Sequence, residues 1–210
     1  MLRRRVLVAA GRGVLRLLAR VDVSGRENLP RGGPLLVVFN HVAHADGAVV
    51  IATVPWEIEA ISLSDLFRVP LTGQLLRLYG AIPVHRDAYD REILRRALGV
   101  LADGKVLALA PEARQSPTRA LERGREGAAY LALRSGAALL PVGLTGTETV
   151  PSMLKRLRRP HITVTIGAPF RLTGPLAQGA ARRAQLESGR DEIMRRIAEL
   201  LPAQYRGVYA

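Results

Sequence analysis

Cysteine is missing from this chain, which excludes disulfides and thiolate chemistry and permits a reducing compartment. Aromatic residues make up only 4%, leaving few platforms on which unpaired bases could stack. Lysine is almost missing too: only Lys105 and Lys155 break an otherwise all-arginine set of 31 basic residues. No run reaches the ~18 uninterrupted apolar residues of a spanning helix, so the chain can lie on a membrane but not cross one. No Gly-x-Ser-x-Gly elbow occurs, which removes the familiar serine nucleophile. There is no internal repeat and no low-complexity tract.

What is present describes one globular domain. At 210 residues, 48% hydrophobic and 23% charged, the chain is long enough and apolar enough to bury a full core. The net charge of +13 is the unusual quantity. It reflects either an arginine-rich compositional bias or a polyanionic partner, and the scarcity of aromatics favours an anionic membrane surface over nucleic acid. No nucleic-acid partner is expected.

Residues 1–21 carry six arginines and no acid. On a helix Arg5, Arg12, Arg16 and Arg20 form one stripe and Leu7, Val14, Leu18 and Val21 another. Such a helix suits a bilayer's headgroup region, apolar side down, or else packs on the domain's own core. Arg12 and Arg16 interrupt the apolar stretch that a secretory signal would need. The expected organisation is an amphipathic helix over 1–21 and a domain over 22–210.

Beyond residue 21 strands and helices alternate. Strands are expected over 35–39, 57–61, 82–84, 106–110, 138–142 and 162–166, and helices over 47–53, 71–79, 90–102, 127–134 and 180–200. This predicts a single α/β domain with a mixed, largely parallel central sheet flanked by helices. Residues 114–126 form the longest irregular stretch, and long loops in compact domains tend to be functional.

Four segments carry chemistry. The buried run Leu35-Leu36-Val37-Val38-Phe39 leads straight into Asn40-His41 and, five residues after the histidine, Asp46. A carboxylate on one imidazole nitrogen fixes the tautomer and leaves the other nitrogen free to take a proton from a hydroxyl. Gly80 opens a second segment that ends in Arg86, whose planar fork matches phosphate oxygens, unless it merely pairs with Asp87 or Asp90 at the surface. The third, Pro111-Glu112-Ala113-Arg114-Gln115-Ser116, again follows a strand; beyond it Arg123 and Arg125 precede a helix start. In the fourth, Leu140-Pro141-Val142 runs to Thr145-Gly146-Thr147, which we read as a pocket wall.

In this order and spacing the four segments resemble the glycerophospholipid acyltransferase family, which includes the 1-acylglycerol-3-phosphate acyltransferases. The Asn-His-x4-Asp motif is matched by Asn40, His41 and Asp46, and Gly-x-Ile-Pro-Val-x-Arg by Gly80, Ile82, Pro83, Val84 and Arg86. Phe-Pro-Glu-Gly-Thr-Arg-Ser is matched in part, by Pro111, Glu112 and Ser116, and the apolar-Pro-Val motif by Leu140, Pro141 and Val142. The stretch from Val23 to Pro30 is similar to the family's entry sequence, so the likeness covers roughly residues 20–170.

The resemblance implies acyl transfer from an acyl-CoA or acyl-carrier-protein thioester to a lysophospholipid hydroxyl, most simply 1-acylglycerol-3-phosphate giving phosphatidic acid. His41 would be the general base and Asp46 its orienting partner, with no acyl-enzyme, metal or bound cofactor. Gly80, Arg86, Glu112, Arg114 and Arg125 would serve the acceptor's phosphate, Glu112 by organising its loop. The implied location is peripheral, on the cytoplasmic face of the cell membrane. Another lysolipid acceptor (an amino- or glycolipid) and an inactive lipid-binding relative are the alternatives.

Departures from the family pattern fall on the acceptor side. Ala113 replaces a glycine, and at a positive φ it would cost about 1 kcal/mol. Arg114 stands one position early, and on a loop one residue can turn a side chain away from its target. His85 and Leu63 replace an aspartate and a lysine common in relatives. His44 pairs with His41 in sequence but lacks the further ligands of a metal site, and His161 reads as structural.

Overall fold

The computed structural model describes residues 2–84 and 91–210. Its sheet has seven strands: β1 (Arg20–Ser24), β2 (Leu35–Phe39), β3 (Ile58–Leu63), β4 (Ile82–Val84), β5 (Val106–Leu109), β6 (Ala138–Thr145) and β7 (His161–Ile166). The helices are α1 (Leu2–Leu18), α2 (Asp46–Thr53), α3 (Thr72–Tyr79), α4 (Arg91–Ala102), α5 (Gly127–Ser135), α6 (Val150–Lys155) and α7 (Gly179–Ala198). Strand order is β1-β7-β6-β2-β5-β3-β4, parallel throughout except where β6 and β7 pair antiparallel. The expected mixed, largely parallel α/β domain is what forms.

β2 lies at the sheet's centre between β5 and β6, and all five of its residues are buried. Because strand side chains alternate, Leu36 and Val38 enter a core shared with α4, α5 and α7, while Leu35, Val37 and Phe39 enter a second core on the opposite face. Burial on both faces explains why β2 reads as a continuous apolar run rather than an alternating one. The parallel strands β2, β3, β4, β5 and β6 all end at one edge of the sheet. In open α/β sheets that carboxyl edge is where ligands bind.

Two expectations at the N-terminus change. The helix ends at Leu18, and Arg20 and Val21, placed on its stripes by the sequence, begin β1 beside β7 instead. The supposed phosphate-facing arginines also divide. Arg12 turns inward, donating to the carbonyls of Ala52 (2.9 Å) and Val54 (2.6 Å) at the end of α2. Four carbonyls at a helix C-terminus lack intrahelical partners, and a guanidinium answers both that need and the helix dipole.

Candidate active site

The carboxyl edge of the sheet is organised around Asp46. Its side chain has no exposed surface, and four donors converge on it. Oδ2 accepts from His41 Nδ1 at 2.9 Å and from the backbone N–H groups of Val42 and Ala43, each at 2.7 Å. Oδ1 accepts the hydroxyl of Thr147 at 2.5 Å, across 101 residues of sequence. With two backbone N–H groups and a hydroxyl already donating to Asp46, a neutral His41 completes the set by donating from Nδ1, which leaves a lone pair on Nε2. The His41 side chain is 26% exposed, so this lone pair can meet a substrate. Phe39 meets the imidazole edge-on, with ring centroids 6.4 Å apart.

The strand-to-turn junction is pinned from both neighbours of β2. Asn40 is buried and clasps Leu144 of β6, giving its amide N–H to the carbonyl (2.8 Å) and accepting the backbone N–H (2.7 Å). From beyond β5, Glu112 Oε1 accepts the His41 backbone N–H at 3.0 Å, and the backbone N–H of Ser116 donates to the His41 carbonyl at 2.8 Å. Gln115 adds a bond to the Val42 carbonyl at 3.1 Å. The third segment thus holds His41 by its main chain on both sides.

Glu112 is itself buried. Its other oxygen accepts the backbone N–H of Glu122 at 2.9 Å, closing the 112–122 loop as a bridge. Burial pushes the Glu112 carboxyl above its ordinary value, and the two backbone donors, from Glu122 and His41, oppose that rise. Ala113 has φ 56°, so the alanine does stand where glycine would be unstrained. Arg114 turns to Glu122, with Nε and Nη2 at 2.7 and 2.6 Å from Oε2.

A cleft of about 450 Å³ opens beside this loop, lined by Glu112, Arg114, Glu122, Arg123, Arg125 and Val208. It adjoins the dyad through Glu112 without being lined by the imidazole. Arg125 also donates its backbone N–H to the Pro111 carbonyl at 2.8 Å. Gly80 has a different position: at φ 80° it caps the end of α3, its N–H reaching the carbonyls of Leu76 and Arg77. Arg86 and His85 lie outside the described residues. His161 pairs with Asp22 at 2.7 Å on the exposed β1–β7 ladder. Among the described residues no cluster of three potential metal ligands forms.

Sequence reasoning missed two contributors. Thr147, a pocket-wall residue by sequence, supplies the only side-chain donor on Asp46 besides His41 among the described residues. The C-terminal tail carries no motif, but it straps the loop that follows the third segment: Val208 donates to the Leu121 carbonyl and Leu121 to that of Tyr205. Tyr205 also donates its hydroxyl to Glu148 at 2.6 Å, and burial, with this carboxylate next, pushes the phenol up to about 12.

A histidine held by a buried carboxylate at the carboxyl edge of an α/β sheet is an arrangement able to move a proton. The profile of the acyltransferase family matches residues 20–145, and the chain belongs to that family. A 1-acyl-sn-glycerol-3-phosphate acyltransferase of Borreliella burgdorferi is 26% identical over 133 residues, covering 61% of this chain and 52% of the relative. An uncharacterised protein of Mycobacterium leprae is 33% identical over 178 residues, covering 74% and 46%. The chain therefore spans about half the length of these curated relatives. The crystal structure of the 1-acyl-sn-glycerophosphate (LPA) acyltransferase PlsC from Thermotoga maritima shares the fold, with a TM-score of 0.66 at 22% identity over 90% of this chain and 78% of that one.

Proposed function

We propose that this chain transfers a fatty acyl group from an acyl-CoA or acyl-carrier-protein thioester to the free hydroxyl of a lysophospholipid, converting 1-acylglycerol-3-phosphate to phosphatidic acid. The observation that carries the reading is the 2.9 Å contact between His41 Nδ1 and a four-times-bonded Asp46, with the imidazole still partly open to solvent. Nε2 takes the proton as the acceptor's oxygen attacks the thioester carbonyl. The C–S bond then breaks, and the imidazolium returns the proton to the departing thiolate, so the base is regenerated. Asp46 stabilises the imidazolium between the two proton transfers. The nucleophile belongs to the substrate, which suits a chain without cysteine. No metal or bound cofactor enters any step.

Recognition of the acceptor's phosphate falls to Arg86 first and then to the cleft arginines Arg114, Arg123 and Arg125, of which Arg114 also faces Glu122. The chain acts as a peripheral protein on the cytoplasmic face of the cell membrane, drawn to anionic lipid by its positive charge and not to nucleic acid. A second reading, an inactive lipid-binding relative, is favoured by one observation, the alanine at φ 56° beside Glu112.

Purified protein supplied with acyl-CoA and a panel of lysolipids separates these readings. Thiol release matched by product mass supports transfer, with 1-acylglycerol-3-phosphate the preferred acceptor. No release with any acceptor and either donor would leave the lipid-binding reading alone.

A further inference from the structure

Exposed leucine and valine are normally scattered over a protein surface, and here they are not. Of the eleven large exposed hydrophobics among the described residues, five lie on α1 and four more between Val69 and Leu78. Leu2, Val6, Ala10, Gly13 and Leu17 recur at helical spacing and all face outward. The side of α1 turned to the protein carries Arg4, Leu7, Val8, Arg12 and Leu15. The helix therefore leaves an apolar stripe open to solvent while two of its arginines turn inward, unlike an ordinary surface helix.

α3 repeats the inversion. Gly73 and Tyr79 are buried, whereas Leu71, Leu75 and Leu78 form an outward stripe. Leu71 is 68% exposed and held at φ 65°, a conformation that bulky side chains rarely adopt. A glycine would avoid both penalties at once.

The two helices are neighbours. Arg4 of α1 donates to the Tyr79 carbonyl at the end of α3 (2.8 Å), lies 4.7 Å from the Tyr79 ring centre and bonds both oxygens of Glu59. Charge is one-sided across the pair: residues 2–18 and 69–80 contain no acid, and Arg3, Arg16 and Arg77 are exposed among the apolar stripes, with Arg5 exposed but paired to Glu57 at 2.9 Å. Two outward apolar stripes on neighbouring helices, with arginines among them, fit an anionic bilayer surface, oil into the acyl boundary and guanidiniums on phosphates.

We infer that α1 and α3 together form one bilayer-docking face, with α3 contributing as much as the N-terminal helix. The inference rests on the lipid-surface reading above and locates it. It also ties docking to catalysis. The turn Ser64–Arg68 leaves the carboxyl end of β3, the edge that carries His41, and runs into Val69 and Leu71. From α3 the chain passes through Gly80 into β4, which leads to Arg86. Seating α3 in the headgroup layer would bring Gly80 and the start of β4 toward the depth where a lysolipid phosphate lies.

The test is sedimentation with phosphatidylcholine–phosphatidylglycerol vesicles, run beside turnover of a short-chain, water-soluble lysolipid. Two double variants remove oil without adding charge: Val6→Gln with Leu17→Gln, and Leu75→Gln with Leu78→Gln. We expect each to lower vesicle binding by about tenfold while soluble-substrate turnover, which reports folding, stays at the unmodified level. Unchanged binding by the α3 variant, with loss in the α1 variant, would overturn the two-helix face and leave a peripheral protein docked by α1 alone. A concentration-dependent dimer that the α3 variant dissociates, without change in vesicle binding, would make the face an interface between copies and also overturn the inference. No vesicle binding by the unmodified chain would remove the lipid-surface reading as well. Absent soluble turnover with normal sedimentation would count only against acyl transfer.

Discussion

The dyad corner and the arginine cleft lie side by side and are built in opposite ways. Around Asp46 nearly every polar atom is buried and bonded, and the imidazole is held by its ring, its backbone N–H and its carbonyl. In the cleft Arg114, Arg123 and Arg125 are exposed, on a loop with no regular structure. A proton must move over a fraction of an ångström, so the base has to be positioned before substrate arrives. A phosphate can be attracted from several ångströms away by mobile charge, and an exposed guanidinium is sufficient for that. Damage to the first region should appear in turnover, and damage to the second in acceptor affinity.

The largest effect should come from His41→Ala, which we expect to lower turnover by ~10²–10⁴-fold with thermal unfolding little changed, as circular dichroism would show. Arg86→Ala should instead raise the KM for a phosphate-bearing acceptor by about tenfold or more, as expected for loss of a charge-assisted fork, and leave the donor's KM unchanged. If KM moves for both substrates together, Arg86 does not act on the acceptor phosphate.

Thr147→Val strips Asp46 Oδ1 of its hydroxyl donor. Stability should fall by about 1–3 kcal/mol for the unpaired buried acceptor, and turnover should fall roughly tenfold as Asp46, the imidazole's partner, loses one of its four donors. Thr147→Ser should restore most of both, which a purely packing role for the methyl group would not allow.

Glu112 allows a test by pH. Its folded-state carboxyl is raised by burial above the reference value of 4.5. Its contribution to stability, relative to a non-titrating Glu112→Gln, should be fully present below that value and decline as pH rises through the raised one. Urea unfolding at acid and neutral pH checks the sign. The smallest effect belongs to Glu122→Gln, which releases Arg114 from an exposed pair worth ~0–1 kcal/mol. The acceptor's KM should fall slightly or stay the same.

The legible parts of this molecule were the local ones. Continuous burial of residues 35–39 wrote a central strand into the sequence, and His41 and Asp46, five residues apart, could be paired by reading a single turn. Thr147 could not, because its contact with Asp46 requires β6 to lie against β2, an adjacency no spacing encodes. β1 was hidden because Arg20 and Val21 continue the periodicity of the helix before them. Periodicity also says which residues of α1 share a side but not which side faces the protein. The inward turn of Arg12 and the outward turn of Leu2, Val6 and Leu17 became visible only with α2 and α3 in place. The tail that clasps Leu121 has no apolar period to announce it.

Direct attack by the acceptor, with His41 as base and no covalent enzyme intermediate, can be tested by intact-protein mass spectrometry during a single turnover. The account predicts that thiol release requires the lysolipid and that the protein's mass never increases by an acyl group. An acceptor-independent burst of thiol, accompanied by an acylated chain, would contradict it.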